Sequence, residues 1–278
     1  MKLHLIRFLG IILSCFLILN CSGKNKINKI LQELESPNSF IRGGAVWAAS
    51  CLDSSSLQDP RIIEGIIKCA LDSENSVRRT TIGELYKFKD KRISNILLSA
   101  LKIPEFRTEA ISSLCEMKDE KGLIPLLMLM NDTTEGVQQK LIEGLPKYGS
   151  VAVKPLIERM DTKDLPTWLK IAEMLWVIND TNSIIAIKKP LIDKDLKFIK
   201  KTYYFFITIG LNESRNVLKK TLYKYGDKQM AFDFCTSGDS ILNSTAREWA
   251  WSKGYILTII GGSNDSWGSK KVNSKKLN

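Results

Sequence analysis

Between Ile27 and Tyr225, apolar positions recur at three- and four-residue spacing in short runs, and polar turns of Asp, Asn, Ser or Pro close each run. Ile63, Ile66, Ile67, Ala70 and Leu71 form one such stripe, and Ile82, Leu85, Tyr86 and Phe88 form another. This spacing predicts amphipathic helices of about ten residues each. The second helix of each unit has a recognisable opening: Phe40-Ile41-Arg42 begins "IRGGAVWAASCLD", Val77-Arg78 begins "VRRTTIGELYKFKD", Phe106-Arg107 begins "FRTEAISSLCEMKD" and Val137 begins "VQQKLIEGLPKYG". From Arg42 to Arg78 is 36 residues, from Arg78 to Arg107 is 29, and from Arg107 to Gln138 is 31. Two weaker units follow at 154–180 and 188–211. A helix pair this short cannot bury its apolar face alone, so neighbouring pairs are expected to stack around a shared core.

The best copy of the pattern, "LDSENSVRRTTIGEL" at 71–85, resembles the short bacterial form of the HEAT repeat: a Leu-Asp ending of the first helix, then Val-Arg, then a second helix rich in small residues. The resemblance covers about 27–225. It implies an all-α fold, a right-handed α–α superhelix (HEAT-repeat solenoid) of about six helix pairs. Neither the tetratricopeptide nor the ankyrin signature is present. Arg42, Arg78 and Arg107 line up as an arginine ladder that could bind anions along one edge. The HEAT resemblance implies a structural role instead, each arginine pairing with an acidic turn residue of a neighbouring repeat such as Asp72 or Glu105. Tyr203, Tyr204, Phe205 and Phe206 read as core at helical spacing, with a stacking platform for bases or sugars as the alternative.

After Gly226 the repeat stops, and 226–262 is expected to form a small, loosely packed helical cap over the open end. Within it, "TSGDSILNS" reads as a loop before a helix that Thr245 and Glu248 open as a capping box and Gly254 closes. Trp249 and Trp251 cannot share a face, so one is expected to be exposed. Residues 263–278, rich in Gly, Ser, Asn and Lys, read as a flexible tail.

The first apolar run, Phe8 to Leu19, is 12 residues behind Lys2 and Arg7. That is short for a membrane span of about 20 residues and fits a secretory signal. Ile18-Leu19-Asn20 lacks the small residues of an A-x-A cleavage site. "LILNCSG" at 17–23 resembles the bacterial lipoprotein signal, with an aliphatic residue three positions before a cysteine. The resemblance implies removal of 1–20, a diacylglycerol thioether on Cys21, acylation of its amine and a lipidated tether over 21–26. Ser22 implies delivery to the outer membrane. Asn20 departs from the usual small residue, and an uncleaved signal anchor is the alternative.

Removing 1–20 takes away Lys2, Arg7 and the only histidine, His4, so the net charge of +11 falls to +9. Without histidine, Ser-His-Asp and Cys-His catalysis are excluded, as are histidine-containing zinc sites. Cys51, Cys69, Cys115 and Cys235 are scattered without a C-x-x-C pair, each among small or aliphatic residues, and read as free, buried thiols, with a Cys51–Cys69 disulfide between neighbouring helices as the alternative in an exported chain. No cofactor is expected. The expectation is a monomeric, non-enzymatic protein-binding scaffold held in the bacterial envelope by lipid, its protein partner unidentified. Alternatives are a HEAT enzyme like the phycobilin lyases, or a basic solenoid that binds anionic glycolipid or nucleic acid, the last disfavoured by export.

Overall fold

A computed structural model describes the backbone at residues 23–161, 163–258 and 266–269, with side chains at 25–161 and 163–256. The signal segment, Cys21 and its lipidation lie outside the described residues. The described chain is all-α apart from one hairpin. It divides into two compact units, with the boundary between Leu156 and Ile157.

The first unit contains α1 (Gly23–Leu34), α2 (Ser39–Ser50), α3 (Pro60–Cys69), α4 (Asn75–Glu84), α5 (Lys91–Ala100), α6 (Arg107–Met117), α7 (Glu120–Met128) and α8 (Val137–Gly144), and α9 (Ser150–Glu158) straddles the boundary. Short 3-10 turns extend α4 and α8 over Leu85–Lys87 and Leu145–Tyr148. Packing skips one helix at most steps: α2 meets α4, α4 meets α6 and α6 meets α8, while α1 meets α3 and α5 meets α7. The result is two rows with the core between them, filled by Ile30, Val46, Ile66, Ile82, Leu97, Ile111, Leu126 and Leu141.

Interactions between successive helices of the α2–α4–α6–α8 row repeat at the sequence period. The buried Ser113 hydroxyl donates to the Ile82 and Gly83 carbonyls at 2.6 and 3.1 Å, 31 and 30 residues earlier. Tyr148 donates to the Leu114 and Asp119 carbonyls. An added Cβ on Gly144 would stand 2.9 Å from the Cys115 Cβ, so α8 approaches α6 more closely than any larger residue permits. The α1 helix begins at Gly23, inside the segment expected as a tether, because the stripe Ile27, Ile30, Leu31 and Leu34 carries the preceding polar residues as its first turn.

The second unit contains α10 (Leu165–Ile178), α11 (Thr181–Ile192), α12 (Leu196–Thr208), α13 (Ser214–Tyr225), α14 (Lys228–Thr236), α15 (Ser240–Ser252), β1 (Tyr255–Thr258) and β2 (Ser266–Ser269). Packing again skips one helix: α10 meets α12, α12 meets α14, and α13 meets α15. Trp168 anchors the core, with Phe198, Phe205 and Phe206 at ring separations of 5.0, 5.7 and 6.2 Å. Of the aromatic run, Phe206 is buried, Phe205 is half-buried against Trp168, Tyr203 is half-buried and Tyr204 is exposed.

In the C-terminal region α14 and α15 continue the alternating packing. Two details depart from expectation. α15 starts five residues before Thr245, at Ser240, because Asp239 accepts from the backbone N–H of Ile241 and Leu242. Thr245 is then buried inside the helix, which leaves no capping box. Ser266–Ser269, expected in a flexible tail, pairs antiparallel with Tyr255–Thr258, Tyr255 opposite Ser269. The other residues of 263–278 lie outside the described residues. Gly254 ends α15 with φ +79°, Trp249 is buried and Trp251 is exposed, all as expected.

Candidate interaction face

The three arginines occupy equivalent places in successive helices of one row, and each is tied down twice. Arg42 donates to the Ser36 and Pro37 carbonyls at 2.8 and 3.1 Å. Arg107 donates to the Leu101 and Lys102 carbonyls at 2.9 and 3.4 Å. Arg78 donates to the carbonyls of Asp72 and Ser73 and to Asn75 Oδ1. In every case the acceptors are the carbonyls six and five residues earlier, left unpaired where the preceding turn leaves its helix. Gln138 repeats the contact with the Asp132 carbonyl at 2.8 Å.

The second tie reaches the next unit. Arg42 grips Asp72 through two hydrogen bonds of 2.6 and 2.7 Å, and Arg107 reaches Asp132 at 2.7 Å and Thr134 at 3.0 Å. Arg78 finds Phe106 instead, its guanidinium 5.2 Å from the ring centroid, so Glu105 is not its partner. The Arg42 hydrogen bond holds the Asp72 carboxyl below its ordinary range. The Thr134 hydroxyl does the same for Asp132. The ladder fastens neighbouring turns, and every guanidinium donates within it, although the buried Arg78 Nε finds no acceptor among the described residues.

One, five and nine positions after each arginine, or after Gln138, lie the exposed or half-buried positions that form the outer ridge of this row. They are Gly43, Trp47 and Cys51 on α2; Arg79, Gly83 and Lys87 on α4 and its 3-10 extension; Thr108, Ser112 and Glu116 on α6; and Gln139, Glu143 and Lys147 on α8 and its 3-10 extension. Charges along this ridge are balanced and cross-linked. Arg79 pairs with Glu109 at 2.9 Å, Lys87 with Glu84 at 2.7 Å, and Lys147 with Glu116. Such a face lacks the run of free cations that a phosphate backbone requires.

The α2 end of the ridge differs. Trp47 is 42 % exposed, and beside it a Cβ added to Gly43 or Gly44 would meet nothing within 4 Å. Each glycine inside a helix costs about 0.5–1 kcal/mol relative to alanine. No packing contact among the described residues requires either one.

All four described cysteines are free. Cys69, Cys115 and Cys235 are buried as expected, whereas Cys51 is exposed because it lies at the C-cap of α2, on the solvent side of the ridge. Burial pushes the Cys69 thiol up to about 11 and the Cys115 thiol up to about 12. Leu71, read as a core position, is 74 % exposed, and Tyr86 is also exposed, because the chain leaves its helix in the first case and tightens to a 3-10 turn in the second.

A set of Asp helix caps was missed in the sequence reading. Asp59, Asp90, Asp119, Asp164, Asp180, Asp195, Asp227 and Asp239 each precede a helix and accept from a first-turn backbone N–H. An aspartate at nearly every predicted helix start was the available signal. Among the described residues, no group of three or more His, Cys, Asp or Glu could hold a metal ion, and no helix is long and apolar enough to cross a membrane. No protein-family model matches the chain, and no curated protein is similar to it.

Proposed function

We propose that this protein is a lipid-anchored, non-enzymatic binding scaffold of the bacterial cell envelope, held by acyl chains on Cys21 and presenting the α2–α8 ridge to another protein. Within each unit the helix pairs are short HEAT-type repeats stacked in the right-handed α–α sense. The skip-one packing and the arginine ties at a period near thirty support that assignment. The observation that carries the binding role is the shelf at Gly43 and Trp47: a half-exposed tryptophan beside a helix glycine that packing does not use. Exposed aromatics of this kind anchor protein interfaces, and bare backbone lets a partner approach closely.

Two measurements test the reading. Mass spectrometry of the N-terminal peptide from the membrane fraction should show a chain starting at Cys21 with diacylglycerol and acyl mass, and Cys21→Ala should remove both; a chain starting at Met1 ends the lipoprotein reading. A photo-crosslinking amino acid at position 47 or 143 should trap one reproducible envelope protein, whereas one at 95 or 121 on the other row should not. Equal capture from both rows, or none, overturns the assignment of the ridge.

A further inference from the structure

One edge of the second unit is strongly basic. There α11 turns into α12, α13 turns into α14, and α15 ends at β1. Two side-chain contacts bring these turns together: Lys200 on α12 pairs with Asp227 at 2.6 Å, and the Lys228 ammonium lies 4.2 Å from the centre of the Tyr255 ring. Lys194, Lys197, Lys201, Lys224 and Lys253 are exposed at this edge without a carboxylate within ion-pair range among the described residues. The three acids in these turns are engaged, Asp193 by Lys189, Asp227 by Lys200 and Asp195 by the α12 backbone. The opposite edge of the same unit has the contrary balance: Asp180, Glu213 and Asp239 lie in its turns, with Arg215 bound to Asp239 and Lys188 bound to Glu213. The basic charge is therefore gathered on one side.

Aromatic rings accompany the lysines. The Lys200 ammonium lies 5.3 Å from the Tyr203 ring and Lys224 lies 5.2 Å from Tyr225, while Trp251 is 57 % exposed in the last turn of α15. An ammonium already over a ring face occupies the surface on which a nucleic-acid base would stack. Lysines beside tyrosine and tryptophan instead suit a bilayer surface, where aromatics settle at headgroup depth and each lysine is drawn to anionic lipid. The geometry points to this edge as a contact surface for the anionic headgroups of a membrane, a second attachment in addition to the anchor proposed at Cys21. The surface itself does not rest on that anchor.

The test uses the full chain with vesicles of phosphatidylcholine alone and of phosphatidylcholine with 30 % phosphatidylglycerol (about one anionic lipid in three, enough for a strong surface potential). Lysine reactivity is read by reductive methylation with uncharged formaldehyde and mass spectrometry. On the anionic vesicles, Lys194, Lys197, Lys201, Lys224 and Lys253 should react at least about fivefold more slowly than on neutral ones, matching the attraction expected per lysine. High salt should abolish the difference, and exposed Lys118 and Lys121 should show none. In the triple variant Lys197→Glu, Lys201→Glu, Lys224→Glu, the remaining Lys194 and Lys253 should lose their protection. Equal reactivity on both vesicles overturns the inference, as does protection by single-stranded RNA but not by anionic vesicles. Flotation separates the two readings: a chain that floats with both vesicle types yet shows equal reactivity retains the anchor and loses the edge, whereas one that floats only with anionic vesicles retains the edge and loses the anchor.

Discussion

Cys51 and Cys115 lie on helices of the same row, nine and eight residues beyond Arg42 and Arg107, and this one-position offset turns one thiol to solvent and the other into the core. Thiolate is the reactive form, and burial that raises the Cys115 pKa to about 12 and the Cys69 pKa to about 11 suppresses it at neutral pH. Native protein treated with an aromatic disulfide reagent should therefore release one equivalent promptly from Cys51. Cys69 and Cys115 should react only on unfolding, and prompt reaction at Cys115 would mean that α6 opens. Two glycines make a similar contrast. Gly43→Ala should stabilise by about 0.5–1 kcal/mol, since alanine is the better helix former and nothing occupies the space. Gly144→Ala should destabilise by about 1–3 kcal/mol despite the same propensity gain, because its methyl meets Cys115. Urea midpoints for the two variants should move in opposite directions.

Helices here are joined by single side chains that satisfy the backbone of one element and the carboxylate of another. Arg42 closes the turn before its own helix and also holds Asp72, the turn residue of the next pair, with both side chains mostly shielded from water. Removing it by Arg42→Ala leaves two carbonyls without that donor and the Asp72 carboxylate with only the Glu74 N–H, at a cost of about 2–3 kcal/mol. Hydrogen exchange should then quicken around 36–38 and 71–75 before it changes at α8, since each pair touches only its neighbours. Uniform acceleration across the first unit would contradict nearest-neighbour coupling. Asp239 has a comparable dual role, capping α15 and binding Arg215, and Asp239→Ala should cost about 1–2 kcal/mol.

For the molecule as a whole, the repeated aspartates link stability to acid. The Arg92 side chain holds the Asp90 carboxyl down to about 2, and the side chains of Arg61, Arg42 and Thr167 lower those of Asp59, Asp72 and Asp164. A carboxylate with a depressed folded-state pKa stabilises the fold above its unfolded value near 4 and loses that contribution as pH falls through the folded value. The melting temperature should therefore hold steady from pH 7 to about 5 and fall between about pH 4 and 2. Asp90→Asn should flatten part of that fall, and an unchanged profile would show that the cap titrates alike in folded and unfolded chains.

Period and type of element were legible in the residues, because a stripe of Ile and Leu every three or four positions has one low-energy arrangement in water. The helices opened by Arg42, Arg78, Arg107 and Val137 appear where that pattern places them. The structural role of the arginines was also legible, since a long cation beside an acidic turn has near partners. Chain order alone could not decide which partner each arginine takes: Asp72 and Asp132 lie within reach of Arg42 and Arg107, while Phe106 lies over Arg78 where no carboxylate does. The exposure of Cys51, the close contact at Gly144 and the gathering of lysines from α12, α13 and α15 on one edge likewise depend on how helices face one another. Spacing along a helix specifies which residues share a stripe, but the neighbour packed against that stripe decides which of them remain in water.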